Sequence, residues 1–280
     1  MNDNDILLAN QNGCELVLTT DGDFPAGSKV LYCGDKTYDL TNVVDGTDMF
    51  RYNTDLNVDF NVDLPHLTNG TNMFYGCYGL ISFTSELPNL ADSSYMFCNC
   101  YGLTSFTGKL STFTDARNMF YGCSALTSFT AGLQDLVNGT SMFRNCAALT
   151  SWTIDVPNLT DGSFMFYNCT GLTSWTVELP KLTSAKSMFN HCTGLTSWTA
   201  ELPNLTDGTG MFTGCILDEA SVLCILNSVP TYTDGTHELH LGKRTNYLNS
   251  TEIAALLNTT TPIAAATSYK YKGWTITVQS

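Results

Sequence analysis

A 23-residue unit recurs through the middle of the chain, and each copy begins with Met-Phe and carries a cysteine four residues later. The regular copies begin at Met73, Met96, Met119, Met142, Met165, Met188 and Met211. An imperfect copy begins at Met49, 24 residues before Met73, and has Asn53 where the cysteine is expected. Such a strict period is typical of a solenoid, in which each repeat covers the hydrophobic face of its neighbour.

The β-prone segment of each repeat is expected to divide its side chains between two faces. With the methionine counted as position zero, position ten is Phe or Trp and position twelve is mostly small, so both should point inward. Positions nine, eleven and thirteen then point outward as Ser, Thr and a mostly acidic residue. In rungs stacked about 4.8 Å apart they form columns on a parallel sheet. The candidate binding residues on this face are Ser151, Thr153, Asp155, Ser174, Thr176, Glu178, Ser197, Thr199 and Glu201.

Two further repeat positions carry residues typical of turns. Position three is Gly, Asn or His, which tolerate a positive φ, and predicts a left-handed residue closing the Met-Phe turn. Position nineteen is usually Asp or Asn, which caps a helical turn or closes an Asx turn with its side-chain oxygen. A calcium ladder is the alternative. Because each repeat offers at most one carboxylate there, we expect turns, no metal site and no cofactor.

Seven of the eleven cysteines occupy one repeat position. We therefore expect them to be small buried hydrophobic residues, with disulfides between rungs or a metal site as the alternatives. The other four are Cys14, Cys33, Cys98 and Cys224, and the sequence contains no CxxC pair.

The charge balance excludes some partners. There are 26 acidic and 12 basic residues, a net charge of −14, which argues against binding to nucleic acid or to anionic membrane surfaces. No apolar run approaches the roughly 20 residues of a transmembrane helix, so no membrane insertion is expected. The first eighteen residues have neither a basic n-region nor a sustained apolar h-region, and we expect no secretory signal. This pattern favours a virion component over a bacterial cell-surface protein.

The repeat resembles the BspA-like leucine-rich repeat over about residues 49–215. One cycle is filled by Cys77, Leu80, Phe83, Leu87, Pro88, Leu90, Met96 and Phe97. The proline falls two residues later than in the family, and Ser111 and Gln134 replace it in two repeats. The resemblance implies an adhesin or surface-interaction protein, and the C-terminal part, with Lys272-Gly273-Trp274, looks like the end of BspA-like surface and phage-encoded proteins.

We therefore expect an α/β solenoid: a right-handed leucine-rich-repeat coil with a parallel β-sheet face, short helical turns on the other side and a cap at each end. The predicted domains are an N-terminal cap at 1–48, the solenoid at 49–215 and an α/β C-terminal cap at 216–280. Strands are predicted at Cys14–Thr20, Lys29–Cys33, His237–Gly242 and Lys272–Val278. Helices are predicted after Asp218 and from Asn249, where Glu252 would complete a capping box.

The sequence favours a non-enzymatic recognition protein that binds a protein or glycan on a cell surface, or neighbouring virion proteins, through its sheet face. It gives no oligomeric state. The first alternative is a structural spacer or decoration protein held through its end caps. The second is an enzyme, which would need a polar pocket in residues 216–280 lined by His237, His240 or Asp234. The sequence has no G-x-S-x-G, P-loop or G-x-G-x-x-G motif, and we expect no catalysis.

Overall fold

A computed structural model describes residues 6–9, 14–18, 29–33, 36–56, 59–110, 113–243 and 268–279. The chain divides into two compact units, residues 1–132 and 133–280, and each is described by itself. The domain boundaries after residues 48 and 215 stay predictions.

The first unit begins with an antiparallel meander of four strands. These are β1 (Ile6–Ala9), β2 (Cys14–Leu18), β3 (Lys29–Cys33) and β4 (Lys36–Asp39). The two strands predicted in this region are present, and Thr19 and Thr20 of the first lie outside the described residues. Tyr38 in β4 packs its ring on Phe50, with 4.6 Å between centroids, so the meander contacts the first rung.

Four short parallel strands follow in the first unit, one from each rung. They are β5 (Asp59–Phe60), β6 (Ser82–Phe83), β7 (Ser105–Phe106) and β8 (Ser128–Phe129). Each Phe pairs with the Phe 23 residues further on, which is the sequence period expressed as register. The strands contain only two residues because each rung must turn again at once.

Aromatic side chains fill the centre of each rung. Phe83, at position ten, stacks on Phe106 at 5.2 Å, and Phe74, at position one, stacks on Phe97 at 5.1 Å. The two columns meet edge to face, as between Phe83 and Phe97 at 4.9 Å, an arrangement that aromatic quadrupoles favour. These rings are fully buried, which confirms that position ten points inward.

Left-handed residues shape the Met-Phe turn in two columns. All seven residues at position three have a positive φ, as predicted: Gly76, Asn99, Gly122, Asn145, Asn168, His191 and Gly214. The residue before each methionine is also left-handed, which the sequence did not indicate: Asp48, Asn72, Tyr95, Asn118, Ser141, Phe164, Ser187 and Gly210. Between them, alternate amides donate within the rung and to the next rung, as for Met73 to Gly70 (3.0 Å) and Phe74 to Met96 (2.8 Å).

Position nineteen forms Asx turns, which confirms one of the two predicted uses. The Asp92 carboxylate accepts from the amide of Ser94 at 2.9 Å, and Asp161 accepts from Ser163 at the same distance. These hydrogen bonds help to lower the pKa of Asp92 although partial burial opposes the shift. Within the described residues, no group of three or more His, Cys, Asp or Glu side chains could hold a metal ion.

The cysteines of the repeat are buried thiols, as predicted. Six of these thiols donate to a phenylalanine carbonyl in the preceding rung, as from Cys100 to Phe74 at 3.0 Å and from Cys192 to Phe166 at 3.0 Å. Burial raises the pKa of Cys192 to about 12. In the imperfect repeat, the Asn53 amide donates instead to the Tyr38 hydroxyl at 3.0 Å. The thiols therefore provide these buried carbonyls with a second hydrogen-bond donor.

The second unit continues the same pattern with tryptophan at position ten. Its parallel strands are β9 (Ser174–Trp175) and β10 (Ser197–Trp198). Each indole donates to the carbonyl two residues on, as in Trp175 to Val177 at 2.7 Å. The equivalent residues Ser151 and Trp152 form no strand, and the indoles of Trp152 and Trp175 stand 6.3 Å apart, compared with 5.9 Å between Trp175 and Trp198. The wider separation of Trp152 and Trp175 thus coincides with the absence of strand pairing between these two rungs.

The last part of the second unit contains a helix and a three-stranded sheet. Helix α1 (Glu219–Ser228) begins after its predicted cap, Asp218, which accepts from the Ser221 amide at 2.8 Å. Strands β11 (His237–Lys243), β12 (Ser268–Tyr271) and β13 (Trp274–Gln279) form a sheet in the order β11-β13-β12. The helix predicted from Asn249, with Glu252, lies outside the described residues.

One strand boundary differs from the prediction. Lys272 and Gly273 are the turn between β12 and β13 rather than the start of a strand, and both have a positive φ. A side chain on Gly273 would come within 2.1 Å of the Tyr232 carbonyl oxygen, so glycine is required there.

This C-terminal segment covers the last rung on two sides. The amide of Trp198 in β10 donates to the Ser221 hydroxyl of α1 at 2.7 Å. On the Met-Phe turn, the amides of Gly208 and Phe212 donate to Glu238 and His240 of β11 at 2.8 and 3.0 Å. Because an uncovered rung would expose apolar surface and an open sheet edge, this packing stabilises the end of the coil.

Each unit contains stacked rungs with a short parallel sheet, as expected for a repeat solenoid. The segments that return between strands are hydrogen-bonded turns, and within the described residues the one α-helix is α1. No helix in that same part of the chain is long and apolar enough to cross a membrane.

Candidate binding face

The nine candidate residues of the sheet face all lie in the second unit and all reach the surface. Ser174 and Ser197 are half-buried, and the others are exposed. They alternate with core residues, so that Thr176 points outward between the buried Trp175 and Val177. We call these nine residues the hydroxyl–acid face.

Two rungs of this face are held in register by backbone pairing. Ser174 pairs with Ser197 in the parallel sheet, and the Thr199 amide donates to the Trp175 carbonyl at 3.1 Å. One rung earlier, Ser151, Thr153 and Asp155 occupy the equivalent positions and are exposed. The structure therefore presents hydroxyl groups at a spacing fixed by the repeat.

A side-chain-to-backbone hydrogen bond connects two neighbouring residues of the acidic column. A Glu178 carboxylate oxygen accepts from the backbone amide of Glu201 at 3.0 Å, which fixes the Glu178 side chain along the edge of the face. The same interaction occurs in the first unit, where Asp63 accepts from the amide of Glu86 at 2.8 Å. A carboxylate held in this way is preorganised to accept hydrogen bonds or to meet a cation.

Helix α1 borders this face beside β10. The thiol of Cys224 lies 3.4 Å from the Thr199 carbonyl oxygen. Partial burial raises the pKa of Cys224, and the negative charges of Glu178 and Glu201 raise it further. The face therefore has a negative potential at this border. The sequence did not predict that a residue of 216–280 would lie next to the face.

The residues of the alternative catalytic site, His237, His240 and Asp234, make contacts within the C-terminal segment and with the last rung. His237 Nδ1 lies 2.7 Å from the Thr206 carbonyl oxygen, and its Nε2 lies 3.1 Å from a carboxylate oxygen of Asp234. The ring stacks on Tyr232 with 3.6 Å between centroids. His240 contacts Glu238 at 3.7 Å rather than joining this cluster. The contact of His237 Nδ1 with Thr206 joins β11 to the last rung.

A second surface was missed by the sequence reasoning. Exposed tyrosines lie in the rungs of the first unit, and Tyr78 stacks on Tyr101 with 5.1 Å between ring centroids. A signal was available, because other repeats place small or polar residues at the same position, such as Ser124 and Thr170.

This fold and this surface define a class: a repeat solenoid that displays columns of side chains on a parallel sheet. Proteins with leucine-rich repeats are generally protein-binding scaffolds without enzymatic activity. The family model for the BspA type leucine rich repeat region matches in six copies, over residues 53–165 and 117–233. The chain belongs to this family.

Two solved structures are among the matches. One is the leucine-rich repeat protein of T. pallidum, at 21% identity and a TM-score of 0.43, covering 59% of this chain and 80% of that one. The other is a leucine-rich repeat protein from Bacteroides ovatus ATCC 8483, at 18% identity and a TM-score of 0.27, covering 86% and 83%. The comparison with curated proteins gave no match.

Proposed function

We propose that this protein is a non-enzymatic recognition protein that binds a protein or glycan through the hydroxyl–acid face. The observation that carries the proposal is the exposure of Thr153, Thr176 and Thr199 in consecutive rungs, each next to a buried tryptophan. Packing requires the tryptophans, while the hydroxyls make no contribution to the core. Solenoids use extended regular surfaces of this kind for binding.

The chemistry of the face supports a polar partner. Serine and threonine hydroxyls both donate and accept, and the carboxylates of Asp155, Glu178 and Glu201 accept only. Sugar hydroxyls and the amide groups of a peptide complement such a surface. The net charge of −14 disfavours phosphate-rich partners.

We place the protein on a virion, as a tail or fibre component, or on a bacterial cell surface. BspA-type repeat proteins are often surface proteins, which supports this setting. Fractionation of producing cells and of the particles they release would test it. Recovery of the protein with particles or envelopes is expected, and recovery only in the cytosol would contradict the proposal.

Binding through the face is tested by the substitution Thr176→Arg. An array of surface glycans and host proteins supplies the ligand, and the tightest binder is titrated against the variant. Because the bulky cation replaces an exposed hydroxyl, we expect binding to fall by at least about tenfold, corresponding to 1.4 kcal/mol, with an unchanged thermal midpoint. Thr170→Arg, at an exposed position outside the face, is the matched control and should bind like the parent.

The structural spacer is the second candidate. Its supporting observation is that α1 and β11 form a distinct segment after the last rung. However, Ser221, Glu238 and His240 of this segment already bond the protein's own last rung. A binding site mapped to residues 1–48 or 216–280 would favour the spacer, and one centred on Thr153, Thr176 and Glu178 favours recognition.

A further inference from the structure

Comparison of equivalent positions in different repeats indicates which side chains the fold requires. At position five, four repeats carry small residues: Ser124, Ala147, Thr170 and Thr193. Two neighbouring repeats of the first unit carry Tyr78 and Tyr101 instead, with 45% and 49% of their surface exposed. Position eight is threonine in five repeats, but Ile81 replaces it here and is 41% exposed. Packing does not explain these three side chains.

Two more exposed tyrosines have strained backbones. Tyr52, at position three of the imperfect repeat, has φ 55° and is 51% exposed. Tyr95, in the column before the methionine, also has φ 55° and is 42% exposed. A bulky residue is disfavoured in this conformation, and neighbouring rungs use Asn72 and Asn118 there. The fold alone would favour asparagine or glycine at both positions.

We define the tyrosine surface as Tyr52, Tyr75, Tyr78, Tyr95 and Tyr101. Large exposed hydrophobic residues concentrate in this part of the chain. Between residues 113 and 243, which the structure describes without a gap, they are Val137 and Ile216. Tyrosine is enriched at the cores of protein interfaces, because its ring combines apolar area with a polar tip.

Arg51 of the chain itself lies against two rings of this surface. The guanidinium carbon lies 5.3 Å from the ring centre of Tyr52 and 5.2 Å from that of Tyr75. The same group pairs with a carboxylate oxygen of Asp48 at 3.0 Å. The guanidinium of Arg51 thus contacts two aromatic rings and one carboxylate, which are groups that attract arginine.

Charge around the surface selects the same partner chemistry. Between residues 41 and 101 there is one arginine, Arg51, and no lysine. The same segment contains seven exposed acidic residues: Asp45, Asp48, Asp55, Asp59, Asp63, Glu86 and Asp92. Tyrosine rings beside an excess of carboxylates complement a cationic, planar side chain.

We propose that the tyrosine surface binds an arginine-rich segment of a partner protein. Guanidinium groups of the partner lie over the tyrosine rings and against the neighbouring carboxylates, as Arg51 does within the chain. A second copy of the chain is disfavoured as the occupant, because two molecules of net charge −14 repel each other. This inference stands independently of the hydroxyl–acid face, which lies in the other unit.

The test compares two synthetic peptides of equal length and charge, a glycine–arginine repeat and a glycine–lysine repeat. Both are titrated into the full chain at about 0.15 M salt, where long-range attraction is screened. Because lysine lacks the planar group that stacks on tyrosine, we expect the arginine peptide to bind at least about threefold more tightly. Equal affinities, or no binding of the arginine peptide, would overturn the proposal.

The matched variant is Tyr78→Ser with Tyr101→Ser, which introduces the residue found at Ser124. Its control is Thr170→Ser with Thr193→Ser at the same repeat position of the second unit. The tyrosine variant should raise the Kd for the arginine peptide at least about fivefold, and the control should not change it. Tyr95→Asn provides a second variant in case the double substitution affects folding.

An unchanged Kd in both tyrosine variants would mean attraction by charge alone and would contradict the proposal. Binding of a neutral oligosaccharide to the parent but not to the double variant, without arginine selectivity, would make the surface a glycan platform instead. A failed Thr176→Arg test affects only the hydroxyl–acid face, since Thr176 is outside this surface.

Discussion

The thiol of Cys192 donates a hydrogen bond to the carbonyl oxygen of Phe166, 3.0 Å away in the preceding rung. The same oxygen accepts the amide of Cys169 at 3.1 Å, so that one carbonyl links a turn to the next rung. The cysteine period therefore reflects a buried donor that is small enough for the core. Serine would donate as well but would add a more polar group to an apolar interior.

Thiol reactivity follows from this burial. Cys123, Cys146 and Cys169 have no exposed surface, and burial raises the pKa of Cys169 well above its ordinary value. A thiol reagent requires the thiolate and access to it, so these three cysteines should not react in the native protein at neutral pH. Mass spectrometry after timed alkylation gives the site of each adduct. Labelling within minutes, at the rate seen in denaturant, would contradict the buried ladder.

Removing one thiol should have a modest cost. In Cys192→Ala the Phe166 carbonyl keeps the amide of Cys169, so no buried acceptor is left without a donor. The loss is one hydrogen bond and a small volume, about 1–2 kcal/mol in the free energy of unfolding. Denaturant titration measures it. Cys224→Ala, at a partly exposed position, is the control and should cost less.

Alkaline pH should destabilise the protein through the same cysteines. Burial raises the pKa of Cys192 to about 12, whereas a cysteine in the unfolded chain ionises near 8.5. The unfolded state therefore loses its proton at a lower pH than the folded state. The contribution of this cysteine to the free energy of unfolding is fully present below about pH 8.5 and is lost as the pH rises towards 12. Between these limits each such cysteine contributes a slope of about 1.4 kcal/mol per pH unit. Cys192→Ala should show a shallower slope by that amount, and parallel curves would refute the assignment.

Lys272 joins the end of α1 to the β12–β13 turn. Its ammonium group donates to the carbonyls of Leu226, Asn227 and Val229 at 3.2, 3.0 and 3.3 Å. Helix C-termini leave such carbonyls without partners, so Lys272→Met should cost about 1–3 kcal/mol. Lys186→Met, at an exposed position, is the control and should be near neutral in thermal or urea unfolding. Equal stabilities of the two variants would show that the ammonium contributes nothing.

Tyr95→Asn should make the protein more stable. Tyr95 is exposed and left-handed, and asparagine occupies the same column at Asn72 and Asn118. Relief of the strained conformation is expected to add about 1 kcal/mol to the free energy of unfolding. Asn118→Tyr is the reverse substitution and should lower it by a similar amount. A loss of stability in Tyr95→Asn would show that the ring contributes more to packing than its exposure indicates.

The sequence predicted those parts of the fold in which a column repeats one chemical preference. The aromatics at position ten, the Gly/Asn/His residues at position three and the Asx turns are examples, because each preference is local and repeated. The left-handed column before the methionine was missed, since Ser187, Tyr95 and Phe164 carry no preference for a positive φ. Tertiary hydrogen bonding between rungs imposes that conformation.

The candidate surfaces were predicted unequally for a related reason. Alternation with the buried Trp175 placed Thr176 and Glu178 at the surface directly. By contrast, the border formed by Cys224 and the bond from Lys272 to α1 depend on how the last segment folds back, and no periodicity describes it. The tyrosine surface is formed by residues that deviate from the repeat consensus. A consensus averages such deviations away, so this surface becomes visible only when individual repeats are compared.

The proposed function depends on contact between the hydroxyl–acid face and the partner. Carboxyl footprinting with a water-soluble carbodiimide measures this directly in the complex with the ligand selected on the array. We predict that modification of Asp155, Glu178 and Glu201 falls on binding, while that of the exposed Asp135, which lies outside this face, is unchanged. Protection confined to residues 1–48 or 216–280, with Glu178 and Glu201 still fully modified, would contradict it.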